Sequence, residues 1–230
     1  MIKRYQYRCS IKEACGEEEW KALADECRQA SKKAIREGNI CNVSFYRYQN
    51  MGFLYLEEIR DRVSVEEGWA PVDADALMEP LLPVLKPWPE ETGDRYFVPM
   101  INVYYHHLPG EDIEDWERER TTTPKERIGR VAFVFPEKLP SYVRYHQAIV
   151  EEGLLKGDKY AFISLHENLL FSYYEEPRNN VNIKNSEEES VVIGQWMEAD
   201  PESHFDRVKA EGSNFLVIPQ VFSVDRVDRS

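Results

Sequence analysis

The feature that most limits what this chain can become is one order of elements written twice. Residues 3–11 (KRYQYRCSI) alternate in polarity and are rich in tyrosine, the pattern of a half-buried strand. Glu17–Glu37 then places Trp20, Leu23, Cys27, Ser31, Ala34 and Ile35 at helical spacing, and Gly38 closes the run. Residues 40–48 and 52–59 read as strands around a turn at Gln49-Asn50. Residues 74–85 read as a poorer helix, because Pro80 and Pro83 each lack an N–H and shorten or kink it. A strand over 96–106 ends this half. The stretch 108–126 (LPGEDIEDWERERTTTPKE) is polar, acidic and bounded by prolines, and reads as a connector.

After it the order returns: strand 128–135, helix 139–155, strands 160–166 and 169–176, helical pieces between 190 and 211, and a last strand over 215–224. Each half is β-α-β-β-α-β, the ferredoxin-like split unit. Asn50, Phe53, Tyr55, Glu57 and Glu58 recur at the same spacing as Asn168, Phe171, Tyr173, Glu175 and Glu176, which favours an internal duplication. The expected fold is α+β, with units at 1–109 and 127–230 and a linker at 110–126. The hairpin strands of each half are apolar on both faces. A sheet covered by helices on one side only therefore wants a partner, and the second copy supplies it as an intramolecular α+β barrel. Further oligomerisation is possible but not required to close it.

Charge narrows the partners. Forty-two acids against 29 bases give a formal charge of −13, which repels nucleic acid and anionic lipid. No run of 18 apolar residues and no secretory leader pattern appears, so a cytoplasmic protein without a membrane span is expected. Cys9, Cys15, Cys27 and Cys41 make no C-x-x-C pair, and no histidine spacing supports zinc; they read as structural thiols. The clusters Glu17–Glu19 and 187–189 read as solvated faces.

The candidate chemistry lies in 127–176. Tyr142 and His146 are four apart and so share a face of the 139–155 helix, while Tyr160 opens the next strand with Phe162 on its face. A histidine and two tyrosines converging there would form a small acid–base site. Taken one at a time, His146 is as readily a partly buried histidine bonded to a carbonyl, and the tyrosines are core-edge residues. His166 fits the following turn, His106-His107 an exposed strand end, and Glu175-Glu176 a solvated one.

With those residues in place, 127–225 resembles the L-rhamnose mutarotase family of dimeric α+β-barrel proteins. The likeness rests on R-V-A-F-V-F, the pair Tyr142-x-x-x-His146, the strand begun by Tyr160, N-L-L-F at 168–171, and Q-V-F at 220–222. It implies a sugar pocket lined by Tyr142, His146 and Tyr160, with the histidine as acid–base group. Where that family carries a Trp-Trp wall, this chain offers His204 and Phe205, with Trp196 upstream. The first half lacks the set: Asn42 takes the tyrosine's place.

Opening a hemiacetal needs one group to protonate the ring oxygen and another to take the anomeric proton, with no metal or cofactor; histidine suits both duties. The leading expectation is a mutarotase-like enzyme with catalytic His146, Tyr160 and Tyr142, and with Phe162, Trp196, His204 and Phe205 against a monosaccharide. Two alternatives stay open: a non-catalytic carbohydrate-binding or regulatory protein, and another small-molecule enzyme of the α+β-barrel class, which a more apolar site would favour.

Overall fold

The computed structural model describes residues 1–60, 72–90, 93–110 and 112–228. Its strands are β1 (Ile2–Ile11), β2 (Ile40–Tyr48), β3 (Met51–Ile59), β4 (Leu85–Lys86), β5 (Trp88–Glu90), β6 (Gly93–Arg95), β7 (Val98–Pro99), β8 (Ile101–Tyr105), β9 (Glu126–Phe133), β10 (Gly157–Asp158), β11 (Phe162–His166), β12 (Leu169–Glu176), β13 (Asn180–Val181), β14 (Leu216–Ile218) and β15 (Gln220–Asp225). The helices are α1 (Glu17–Glu37), α2 (Ala74–Leu77), α3 (Ile113–Thr122), α4 (Leu139–Glu152) and α5 (Val191–Glu198). The chain is a mixed α/β protein whose strands pair antiparallel.

It divides into two compact units, Met1–Met100 with Pro109–Pro124 and Pro219–Ser230, and Ile101–Leu108 with Lys125–Ile218. In the first unit the strand order is β15-β2-β3-β1-β4, with β7 also on β1. α1 buries Trp20, Ala24, Cys27, Ser31 and Ile35, a single stripe three or four residues apart. That stripe packs with Tyr7, Cys9, Phe45, Leu54 and Phe222 from the facing side of the sheet. The proline-bearing stretch resolves into the single turn α2, capped by Asp73 accepting from Ala76 N at 3.0 Å, and a 3-10 helix, Glu79–Val84. Cys9, Cys27 and Cys41 are buried thiols, and burial pushes the pKa of each upward.

The second unit has the order β14-β9-β12-β11-β8. α4 lies on the face that carries Ala132, Val134, Ile163 and Leu170. It ends at Gly153, whose φ of 70° only glycine adopts without strain, with the Gly153 N–H on the Ile149 carbonyl.

Two boundaries differ from the sequence expectation. The closing strand of each half in sequence belongs to the other unit: β8 pairs with β11, and β15 with β2. The segments just before them stay at home, β7 on β1 and β14 on β9. A unit is therefore not a contiguous half, because a bare strand edge is satisfied by any antiparallel backbone whatever its place in the chain. The supposed linker, moreover, contains α3, capped by Asp112 and burying Trp116 and Arg120. Its acidity marks the exposed face of a helix rather than a loop.

At Gly52, where β3 crosses the α1-facing core, a Cβ would stand 2.5 Å from Cys9 Sγ and 2.7 Å from Phe45 Cζ. Gly52→Ala should cost about 1–3 kcal/mol by overpacking, read as a lower urea midpoint at unchanged m-value.

Candidate functional site

The helix α4 brings Tyr142 and His146 together as their spacing predicts. The rings stack with centroids 3.8 Å apart and planes at 20°. His146 Nδ1 lies 2.8 Å from the Tyr142 carbonyl oxygen, which can only accept, so Nδ1 carries the proton and Nε2 is left as an acceptor. Burial is the main cause that lowers the His146 pKa, to about 4, against the opposing pull of that carbonyl. The imidazole is thus neutral at physiological pH. Tyr104 and Trp196 stand edge-on to it, at 5.6 and 5.2 Å.

The Tyr142 hydroxyl is wholly buried and has no hydrogen-bond partner among the described residues. Burial pushes its pKa far above the usual phenol value. Trp196 and Phe205 meet its ring edge-on at 6.0 and 5.9 Å. His204 lies 4.7 Å from Trp196; its Nδ1–H donates to the Asp200 carbonyl at 3.1 Å, and its Nε2 accepts from Ser141 Oγ at 3.0 Å. Glu152, at the end of α4, accepts from Val191 N and Val192 N at the start of α5. One carboxylate thereby ties together the two helices that carry His146 and Trp196.

Of the residues singled out in the sequence, Tyr142, His146, Trp196, His204 and Phe205 gather in one place. Tyr160 and Phe162 do not join them. Ile163 is in the core beneath α4 and Leu165 packs against it, so Phe162, one residue away on a strand, is turned to the opposite face. Tyr160 stands in the turn before β11, fully buried, with the Lys125 and Lys159 ammonium groups 5.8 and 5.0 Å from its ring centroid. The space between α4 and its sheet holds the packed side chains of Ile149, Ile163, Leu170 and the aromatic group.

Other expectations are corrected by burial. His106 is only 8% exposed, with Tyr104 Oη 2.6 Å from its Nε2. Glu175 is fully buried rather than solvated, and accepts from Tyr173 Oη at 2.6 Å. The first unit repeats that bond: Tyr55 Oη donates to Glu57 at 2.5 Å. Glu57 there also accepts from the two terminal guanidinium nitrogens of Arg120, at 2.8 and 2.9 Å, and from the indole N–H of Trp116 at 3.1 Å. Every partner in that group is satisfied within the protein, the mark of a structural network. Asn42 donates to Asp225 at 2.7 Å as part of it.

Arg130 escaped the sequence reading. It precedes Ala132 and Val134 by even steps on β9 and so shares their face, beneath α4. Its guanidinium lies 4.4 Å from the Tyr174 ring centroid and 4.9 Å from that of Phe215, and donates to Ser172 Oγ at 3.0 Å. No carboxylate pairs with it among the described residues, and its Nε is buried without a partner. Burial lowers its pKa. The alternation R-x-A-x-V, a charge at an inward-facing strand position, was the signal available.

Among the described residues no group of three His, Cys, Asp or Glu side chains is placed to hold a metal ion, and no helix is long and apolar enough to cross a membrane. No family model matches the sequence, and no curated protein does. Solved structures are similar over nearly whole lengths. A protein assigned as a monooxygenase from Lactobacillus acidophilus is 6% identical, with 98% of this chain and 96% of that one covered and a TM-score of 0.44. Another so assigned, from Fusobacterium nucleatum, is 10% identical over 97% and 94%, with a TM-score of 0.42. A protein assigned as a chlorite dismutase is 11% identical over 98% and 96%, with a TM-score of 0.39. Similarity this low passes none of their activities to this chain.

Proposed function

We propose that the second unit binds a small, largely apolar molecule at the His146 edge of the α4 aromatic group, where the imidazole is part-exposed, and takes a proton from it, with His146 as the base. The observation that supports this is the stacked pair itself: a neutral imidazole with Nε2 left to accept, against a wholly buried tyrosine hydroxyl with nothing to bond. A buried hydroxyl left unpaired costs about 1–3 kcal/mol, a cost that a ligand oxygen would remove. Tyr104, Trp196 and Phe205 suit an aromatic carbon skeleton better than the many hydroxyls of a pyranose. Arg130, on the same sheet face and lacking a carboxylate, would stabilise the oxyanion left behind.

The mutarotase reading asks more of the same histidine. It must also donate a proton, yet with a pKa of about 4 only about one molecule in a thousand carries that proton at pH 7. It would also need Tyr160, which lies outside the group. A base with this pKa predicts activity level from pH 8 to about 5, falling as His146 takes up its proton near 4.

Saturation-transfer NMR with 2-naphthol as probe, and anomer-exchange NMR with L-rhamnose, separate the two. Saturable 2-naphthol binding is expected, weakened about tenfold in Tyr142→Phe for the loss of one buried hydrogen bond, with L-rhamnose exchange at the solution rate. Exchange accelerated by the wild type and abolished in His146→Ala, with no naphthol binding, would restore the sugar enzyme instead.

A further inference from the structure

We propose that the groove between α1 and β15 in the first unit is a binding site for a small phosphate-bearing molecule. The cavity is about 690 Å³, inside the range of small-molecule sites. Arg28, Lys32 and Arg36 form one wall, Ile35 and Val224 stand between, and Ser223, Asp225 and Asp228 face them. The three cations are four residues apart on α1, so they rise in a row along one side of the helix.

The carboxylates opposite are held by partners of their own, and among the described residues neither forms an ion pair with Arg28, Lys32 or Arg36. Asp225 Oδ2 already accepts from Asn42 at 2.7 Å and Arg120 at 3.2 Å, and its Oδ1 accepts from Val227 N at 3.0 Å. Asp228 Oδ2 accepts from Asp225 N at 3.0 Å. Among the described residues neither Arg28 nor Lys32 makes an ion pair, and Arg36 meets only its exposed neighbour Glu37, at 3.9 Å. In a chain of net charge −13, three cations in register without acids between them are a local exception.

The helix dipole favours basic residues in the last turn, but its effect fades within that turn. Arg36 falls under that explanation; Arg28, nine residues before the end of α1, does not. Like charges at i, i+4 repel one another by a few tenths of a kcal/mol, a repulsion that an anion lying across the row would relieve. Two guanidinium forks and an ammonium between them match the several oxygens of a phosphate or pyrophosphate. Ile35 and Val224 would carry an adjoining carbon portion. The overall acidity works against anionic polymers and bilayers, which sense the whole molecule, far more than against a small anion that sees only the groove.

The test is calorimetric titration of the full chain at low salt with inorganic pyrophosphate and with phenyl phosphate. Saturable binding is expected, weakened at least about tenfold in Arg28→Gln/Lys32→Gln/Arg36→Gln and unchanged in Lys33→Gln, which removes a charge from another side of the same helix. Should the triple variant not fold, Arg28→Gln and Lys32→Gln singly, each against Lys33→Gln, carry the same comparison. Absence of saturable binding by folded wild type overturns the proposal, as does an equal loss in Lys33→Gln, which would mean diffuse charge alone. Capture by phosphatidylglycerol vesicles without pyrophosphate binding also overturns it, assigning the row to a lipid surface.

Discussion

Arg120→Ala should lower the stability of the chain by about 3–5 kcal/mol, because it strands two buried carboxylates. The Arg120 side chain is 1% exposed and those of Glu57 and Asp225 are 0% and 1%. Burial alone would raise the Glu57 pKa; the charge and hydrogen bonds of Arg120 outweigh it and hold the pKa at about 2. A carboxylate so depressed contributes stability that is complete above its unfolded pKa and is lost as pH falls towards 2, about 3 kcal/mol in all. Without the guanidinium the largest lowering cause is gone: Glu57 keeps only Arg4 as a cation acting on it, its folded pKa rises, and protonation costs the fold less. Urea unfolding should show the deficit of Arg120→Ala largest at pH 7 and clearly smaller at pH 4.5. Adding Glu57→Gln and Asp225→Asn should recover part of it. At about 2–4 °C per kcal/mol, the single variant should melt about 6–20 °C below wild type. A loss under 1 kcal/mol, equal at both pH values, would mean that water reaches the cluster.

How much of this could be read beforehand depends on which interactions carry local signals. The α1 stripe is set by a period of 3.6 residues, and its bounds emerged as Glu17–Glu37. The destinations of β8 and β15 had no such signal, since edge pairing is made by backbone groups that every residue shares. Glu175 was open to a better reading. It follows Tyr173 by two and must share its face, and the same Y-x-E in the first half warned that the pair is used for bonding. Tyr142 and His146 were legible because i, i+4 contact is local. Tyr160 and Phe162 were not, because the face a strand turns to its helix is fixed by Ile163 and Leu165 filling that core first. Arg130 was missed because a charge on a strand is ordinarily read as solvated.

Trp196→Ala should then cost about 3–5 kcal/mol and, more tellingly, should return His146 towards an ordinary histidine. The indole is 8% exposed and meets four rings, those of Tyr142, Tyr145, His146 and His204, at 4.7–6.0 Å. It is held there by α5, whose first N–H groups are bonded by Ser190 and by Glu152 of α4. Since burial is the chief cause of the low His146 pKa, removing the ring that covers one side of the imidazole admits water and lets the pKa climb from about 4 towards 6.5. The Tyr142 carbonyl, which favours the protonated form, remains and pushes the same way. Following the His146 Cε1 proton by NMR against pH should show that rise, and Trp196→Phe should keep the value low by preserving an aromatic cover. The consequence for function has a definite direction. A histidine returned towards pKa 6.5 is partly protonated at pH 6, so the variant should lose base activity between pH 7 and 5, where the wild type stays level. If instead His146 still titrates near 4 after the indole is gone, the sheet and Tyr104 alone keep it dry, and Trp196 is packing rather than part of the site.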